Sequence, residues 1–182
     1  MVMSVRRLAR VLALQSLFEV DVTGHPAGDV LARRLAEHSL TGEGAEFARR
    51  LTQGVMDHQA ELDSVIAGAA PNWPMDQMAK VDKNVLRLAL QELLFESDVP
   101  LKAAINEAVE LGKRFGSDSS SRFINGVLGT VAARLPPRPR PGRRPPAPAA
   151  PAEALVDPGP ELGDLHGWLD ELDETADDPT AG

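Results

Sequence analysis

Between Val81 and Glu96 the chain is apolar on almost every side. Val85, Leu86, Leu88, Leu90, Leu93, Leu94 and Phe95 do not gather into one stripe at 3.6 residues per turn. Such a helix is stable only when neighbours cover it on more than one flank, so the fold must be built around it. The rest of the first 135 residues supplies the neighbours. Segment 4–20 is rich in Leu, Ala and Arg, with Val5, Leu8 and Leu12 on one helical face, and Thr23-Gly24-His25-Pro26 stops it. Residues 27–40 give a second helix through Val30, Leu31 and Leu35. After Thr41-Gly42 a long third helix is predicted from about 44 to 69, ended by Pro71 and Pro74. Pro100 is placed to open a helix over 100–115, with Asp98 as its cap and Gly116 as its stop. Ser117 or Asp118 is expected to cap the last helix, which carries Phe123, Ile124, Val127, Leu128 and Val131. No β-branched alternating run of strand length occurs. The predicted fold class is all-α, with residues 1–135 as one helical domain large enough for its own core.

At Pro136 the composition changes. Eleven of the 15 prolines follow position 135, and residues 136–146 form a linker of proline and arginine that suits neither helix nor sheet. An Ala/Pro stretch leads into an acidic end in which Leu162, Leu165, Trp168, Leu169 and Leu172 lie at helical spacing. The expectation for 136–182 is a disordered tail, with those residues either a transient helix or a short motif that folds against a basic surface. The net charge of −8 divides as −2 for residues 1–135 and −6 for the tail. The acidity therefore does not exclude an anionic partner for the body.

Several chemistries are excluded by inventory. Without cysteine there is no disulfide, thiolate metal site or thiol nucleophile. His25, His38, His58 and His166 show no ligand spacing, and no Gly-rich turn suits a nucleotide phosphate. Ser117 and Ser119-Ser120-Ser121 lack the surroundings of a nucleophile. Glu107 and Glu110 lie at i,i+3, as many solvated helix pairs do. No cofactor, metal or catalytic residue is expected. No apolar run approaches a membrane span, and the Arg-rich start followed by Val11 to Phe18 is interrupted by Gln15 and Ser16 and carries no cleavage site. These features predict a cytoplasmic protein. Leu12-Ala13-Leu14-Gln15 recurs as Leu88-Ala89-Leu90-Gln91, which either a duplicated bundle or chance can explain.

On a helical wheel Arg6, Arg7 and Arg10 fall within about 100° of each other. Three guanidiniums in a first turn oppose the macrodipole, a cost offset if a polyanion or acidic side chains neutralise them. Phe18 shares the stripe of Arg7, and an aromatic face beside arginine suits stacking on an unpaired base, though it suits a core equally. Ser117, Asp118 and Ser119 present hydroxyls, a carboxylate and backbone N–H groups near a helix start, with Lys113 and Arg122 adding charge and Phe123 either a base contact or core.

Three blocks carry a family resemblance: Asp82-Lys83-Asn84-Val85-Leu86-Arg87-Leu88-Ala89; Ile105-Asn106-Glu107-Ala108-Val109-Glu110-Leu111-Gly112-Lys113-Arg114-Phe115-Gly116; and Phe123-Ile124-Asn125-Gly126-Val127-Leu128. With the amino-terminal arginines, Gln15 and Leu17-Phe18, they resemble the NusB family of transcription antitermination factors over about residues 4–134. The resemblance implies two small helical bundles and binding of single-stranded boxA RNA together with NusE, a small-subunit ribosomal protein. It further implies entry into an RNA polymerase antitermination complex, without catalysis. It implies RNA contacts at Arg6, Arg7, Arg10, Phe18, Lys113, Ser117, Asp118, Ser119, Arg122 and Phe123. The resemblance also places Asp76 and Asp82 at positions associated with the NusE-facing or RNA-adjacent surface, although Asp82 near a helix start is stabilising regardless. Two departures stand out: Phe18 replaces a common Tyr, and the acid that some relatives carry at the position of Ser119 is here Asp118. RNA methyltransferases with a similar amino-terminal domain need a cysteine and a following α/β domain, and so are excluded. A purely protein-binding helical adaptor, with its arginine face buried in a homodimer, is the other reading.

Overall fold

The computed structural model describes residues 3–96 and 99–136. The predicted tail from 137 and the expected cap Asp98 lie outside them. Seven helices follow in order: α1 (Val5–Thr23), α2 (Ala27–Glu37), α3 (Gly42–Asp57), α4 (Gln59–Ala69), α5 (Lys80–Phe95), α6 (Leu101–Phe115) and α7 (Ser120–Arg134). No strand occurs among the described residues, and none of their helices is long and apolar enough to cross a membrane. Helices α1, α2 and α3 pack on one another as one bundle, while α4, α6 and α7 pack around α5 as a second.

The apolar helix α5 joins the two. It contacts α1, α3, α4, α6 and α7, and Val85, Leu86, Leu88, Leu90 and Leu93 are buried. Its buried polar side chains are spent on its neighbours. Arg87 binds Asp63 of α4 through its Nε–Nη2 edge, at 2.7 and 2.8 Å, and donates from Nη1 to Asp21 of α1 at 3.2 Å. Asn84 donates to Asp21 at 2.9 Å, and Glu92 receives Arg10 of α1. A buried charge is tolerated only when it is paired in this way. These bonds fix which helix sits against which part of α5.

The helix ends depart from expectation at three points. Helix α1 stops as predicted: Gly24 adopts a left-handed φ of +73° and its N–H donates to the Val20 carbonyl at 2.9 Å. The single helix expected over 44–69 is instead two, divided at His58. No proline or glycine marks that break. The His58 ring stacks on Phe95 with centroids 3.9 Å apart, and its Nδ1 lies 3.1 Å from the Gln91 Oε1, so tertiary contact to α5 sets the bend. Pro100 stands one residue before α6, in the N-cap position. Neither Ser117 nor Asp118 caps α7. Ser119 occupies the N-cap, but its hydroxyl bonds the Ser117 hydroxyl at 3.1 Å rather than capping the helix, and the Ser120 hydroxyl turns back to accept the Ser117 N–H at 2.8 Å.

Candidate nucleic-acid interface

The first turn of α1 begins at Ser4, whose hydroxyl accepts the Arg7 N–H at 3.3 Å. The three arginines that share a wheel sector then diverge. Arg6, exposed, lies with its guanidinium carbon 5.2 Å above the Phe47 ring of α3. Arg7 reaches α6, where its Nε donates to Glu107 Oε2 at 2.9 Å and its Nη2 to Oε1 at 2.6 Å. Arg10 turns inward to α5, donating to both oxygens of Glu92 at 2.7 Å. It is buried, and its other face lies over Phe47 at 5.2 Å. The macrodipole cost foreseen for this turn is thus offset by two carboxylates.

Arg7 and Arg10 consequently differ in what they can offer a ligand. The side chain of Arg7 is 44% exposed, whereas that of Arg10 is 7% exposed with both edges committed. The structure therefore places Arg10 beneath the surface rather than on it. Glu107 is also no ordinary solvated member of an i,i+3 pair. The bidentate bond from Arg7 holds its carboxyl below the usual glutamate range against the opposing effect of burial. The same bond pushes the Arg7 guanidinium up. Glu110 pairs instead with Lys113 at 2.7 Å.

Arg7, Val11, Glu107, Glu110, Leu111, Lys113 and Arg114 line a cleft of about 210 Å³ between α1 and α6. The cleft joins the amino-terminal arginine to Lys113, a pairing that sequence spacing does not reveal. From Glu107 to the end of α6 the surface runs about 12 Å, at 1.5 Å per residue. It then reaches the turn of Ser117, Asp118 and Ser119, all exposed. The ladder of α7 opens with the Phe123 N–H donating to the Ser119 carbonyl at 3.0 Å; the Ser120 N–H is taken by the Ser117 carbonyl, which leaves the amides of Ser121 and Arg122 as the first-turn groups suited to an anion. Arg122 is exposed and makes no ion pair among the described residues. Phe123 is half-buried, with its ring 5.6 Å from Trp73.

Three residues singled out in the sequence stand apart. Phe18 lies three turns along α1 from Arg7, about 16 Å away, half-buried and packed on the core. Asp76 is exposed in the connection between α4 and α5. Asp82 is buried, where burial pushes its carboxyl up and a bond from Ser120 only partly offsets this. It sits beneath the start of α7 rather than on the surface. Sequence reading set Glu107 aside as an ordinary solvated helix residue and missed Glu92, the two carboxylates that orient the arginines. No group of three or more metal-ligating side chains occurs among the described residues.

Comparison with known proteins supplies the lineage. The model of the NusB family matches residues 7–133. The transcription antitermination protein NusB of Roseiflexus castenholzii is 56% identical over 133 residues, covering 72% of this chain and 94% of that protein. That of Chloroflexus aggregans is 57% identical over 133 residues, covering 72% and 89%. Among solved structures, NusB of T. maritima superposes with a TM-score of 0.68 at 33% identity, covering 75% of this chain and 96% of that one. A chain from the complex of antitermination factors NusB and NusE with double-stranded RNA has a TM-score of 0.66 at 26% identity, covering 72% and 98%. With seven helices among the described residues, the central α5 and a match over nearly the whole helical body, this chain belongs to the NusB family.

Proposed function

We propose that the protein is a non-catalytic transcription antitermination factor. It binds the boxA element of nascent ribosomal RNA transcripts together with NusE and joins RNA polymerase in a terminator-resistant complex in the cytoplasm. Family membership over residues 7–133 is the observation that carries this reading. The surface from the Arg7 cleft through Lys113 to Ser117–Phe123 supports it with cations, first-turn amides and an aromatic side chain in one run. Arg6, Arg7, Lys113, Ser117, Asp118, Ser119, Arg122 and Phe123 are the contacts proposed there. Phe18 extends the surface along α1, and Arg10 acts by holding the turn in place. Asp76 is proposed to face the protein partner.

A solved relative binds RNA as a duplex. The bases of an A-form duplex are hard to read, whereas an unpaired strand exposes edges and faces, so sequence-selective binding is assigned to single-stranded RNA. The test is fluorescence anisotropy of boxA-type RNA, its scrambled form and its duplex, with and without NusE, at two salt concentrations. Preference for single-stranded boxA that sharpens with NusE is the expected result. Equal, salt-sensitive binding of all three RNAs means a generic electrostatic surface. No binding of any leaves the protein-binding adaptor, whose homodimer light scattering detects.

A further inference from the structure

Two large apolar side chains stand exposed among the described residues, Trp73 at 54% and Phe95 at 40%. The Phe95 ring is already covered by His58, parallel to it within 5°. Trp73 is not covered in this way. Its ring neighbour is Phe123, tilted at 43° with centroids 5.6 Å apart, so the indole leans on Phe123 and keeps a face open. Trp73 is also held in place. It lies between Pro71 and Pro74, whose φ angles are fixed by their rings, and its N–H donates to the Ala70 carbonyl at 3.0 Å. An aromatic side chain on a stiff turn loses little freedom when a ligand covers it.

The surroundings decide what that ligand is. Phe123 is in the first turn of α7, where Arg122 is exposed and makes no ion pair among the described residues. Ser117 and Ser119 stand exposed just ahead of that turn, and the surface continues along α6 to Lys113 and the Arg7 cleft. A flat apolar face beside an unneutralised cation and first-turn amides suits a nucleotide, whose base stacks while its phosphate meets charge. We propose that Trp73, braced by Phe123, is a stacking platform for an unpaired RNA base at the far end of the strand path that starts at the Arg7 cleft. This rests on the RNA-binding reading above and adds to it a base site drawn from the α4–α5 connection.

The chain has two tryptophans, Trp73 and Trp168, so Trp168→Phe leaves Trp73 as the sole indole reporter in the full-length protein. That variant is titrated with boxA-type RNA in the presence of NusE, following indole emission and the anisotropy of labelled RNA together. The expected result is quenching of Trp73 with the same midpoint as the anisotropy change. Trp73→Ala then weakens binding about 5- to 150-fold, the usual range for one stacked base, while Trp73→Phe retains most of the affinity. The salt slope stays unchanged in both, because no phosphate contact is removed. Normal anisotropy with silent Trp73 emission and unaltered Trp73→Ala affinity overturns the platform and leaves RNA binding elsewhere on the protein intact. Quenching by NusE alone, with no further change on adding RNA, overturns it in favour of a protein contact. Absence of any anisotropy change removes the RNA-binding reading and the platform with it. Should Trp73→Ala fail to fold, the emission titration and Trp73→Phe still decide the matter.

Discussion

Arg7 and Arg10 are one turn apart on the same helix, and each makes a bidentate bond to a glutamate. Their environments separate their roles. Removing one partner of a buried pair strands the other charge, so Arg10→Ala is expected to cost about 3–5 kcal/mol, read as a lowered denaturant midpoint. The more exposed Arg7 pair is worth at most about 1 kcal/mol. Arg7→Ala should therefore fold normally, bind RNA more weakly and reduce the magnitude of the salt slope by about 0.7, one single-strand phosphate. An unchanged slope rules that contact out. Glu107 adds a pH dependence. The Arg7 bond, against burial, lowers its carboxyl in the folded state. A lowered acid stabilises the fold above its unfolded value, and that stability is lost as pH falls through the folded one. Acid melts below about pH 4.3 should then separate the wild type from Glu107→Gln, with the glutamine variant losing less stability on acidification. Parallel losses would place the acid sensitivity elsewhere, Glu19 with its bonds from Arg33 and Arg34 being the next candidate.

Among the helices, what the sequence displays and what it conceals follow from which forces act locally. The unbroken apolar surface of Val81–Glu96 announces α5 as the centre, and Gly24 announces the end of α1 through its backbone freedom. The bend at His58 depends on Phe95 and Gln91, distant in the chain, and therefore leaves no periodic trace. For the same reason the wheel groups Arg6, Arg7 and Arg10, while Phe47, Glu107 and Glu92 draw them to three different helices. Family motifs located the α6–α7 junction, but not how closely those helices approach. A Cβ added at Gly112 meets Ile124 Cδ1 at 2.5 Å and the Ser121 backbone at 3.4 Å. Ile124 is fully buried and cannot swing aside. Gly112→Ala is expected to destabilise by about 1–3 kcal/mol, seen in thermal melts. Because the strain falls where α7 begins, RNA affinity should drop as well, with little change in salt slope. A variant as stable as wild type would show that the junction has slack.

At the scale of the whole molecule, charge is divided unevenly along the chain. The family match ends at residue 133, and the residues beyond 136 bring a balance of −6 to a body of −2. Four arginines, at 138, 140, 143 and 144, come first in the sequence of this stretch, and all ten of its acids follow at 153 and beyond. The stretch thus offers a polyanion both signs, and the two can be removed separately. Deleting 153–182 takes away the acids and keeps the arginines, so RNA binding at low salt should tighten most in that chain. Deleting 137–182 removes both, and should tighten binding less. Long-range effects of this kind are screened over about 10 Å at 0.1 M salt, so the affinities of the three chains should converge as salt is raised. The order at low salt is the informative quantity. Equal affinities would mean that the cleft and the start of α7 alone set binding. Weaker binding after deletion of 137–182 than in the full chain would mean that the linker arginines hold RNA more strongly than the acidic end repels it.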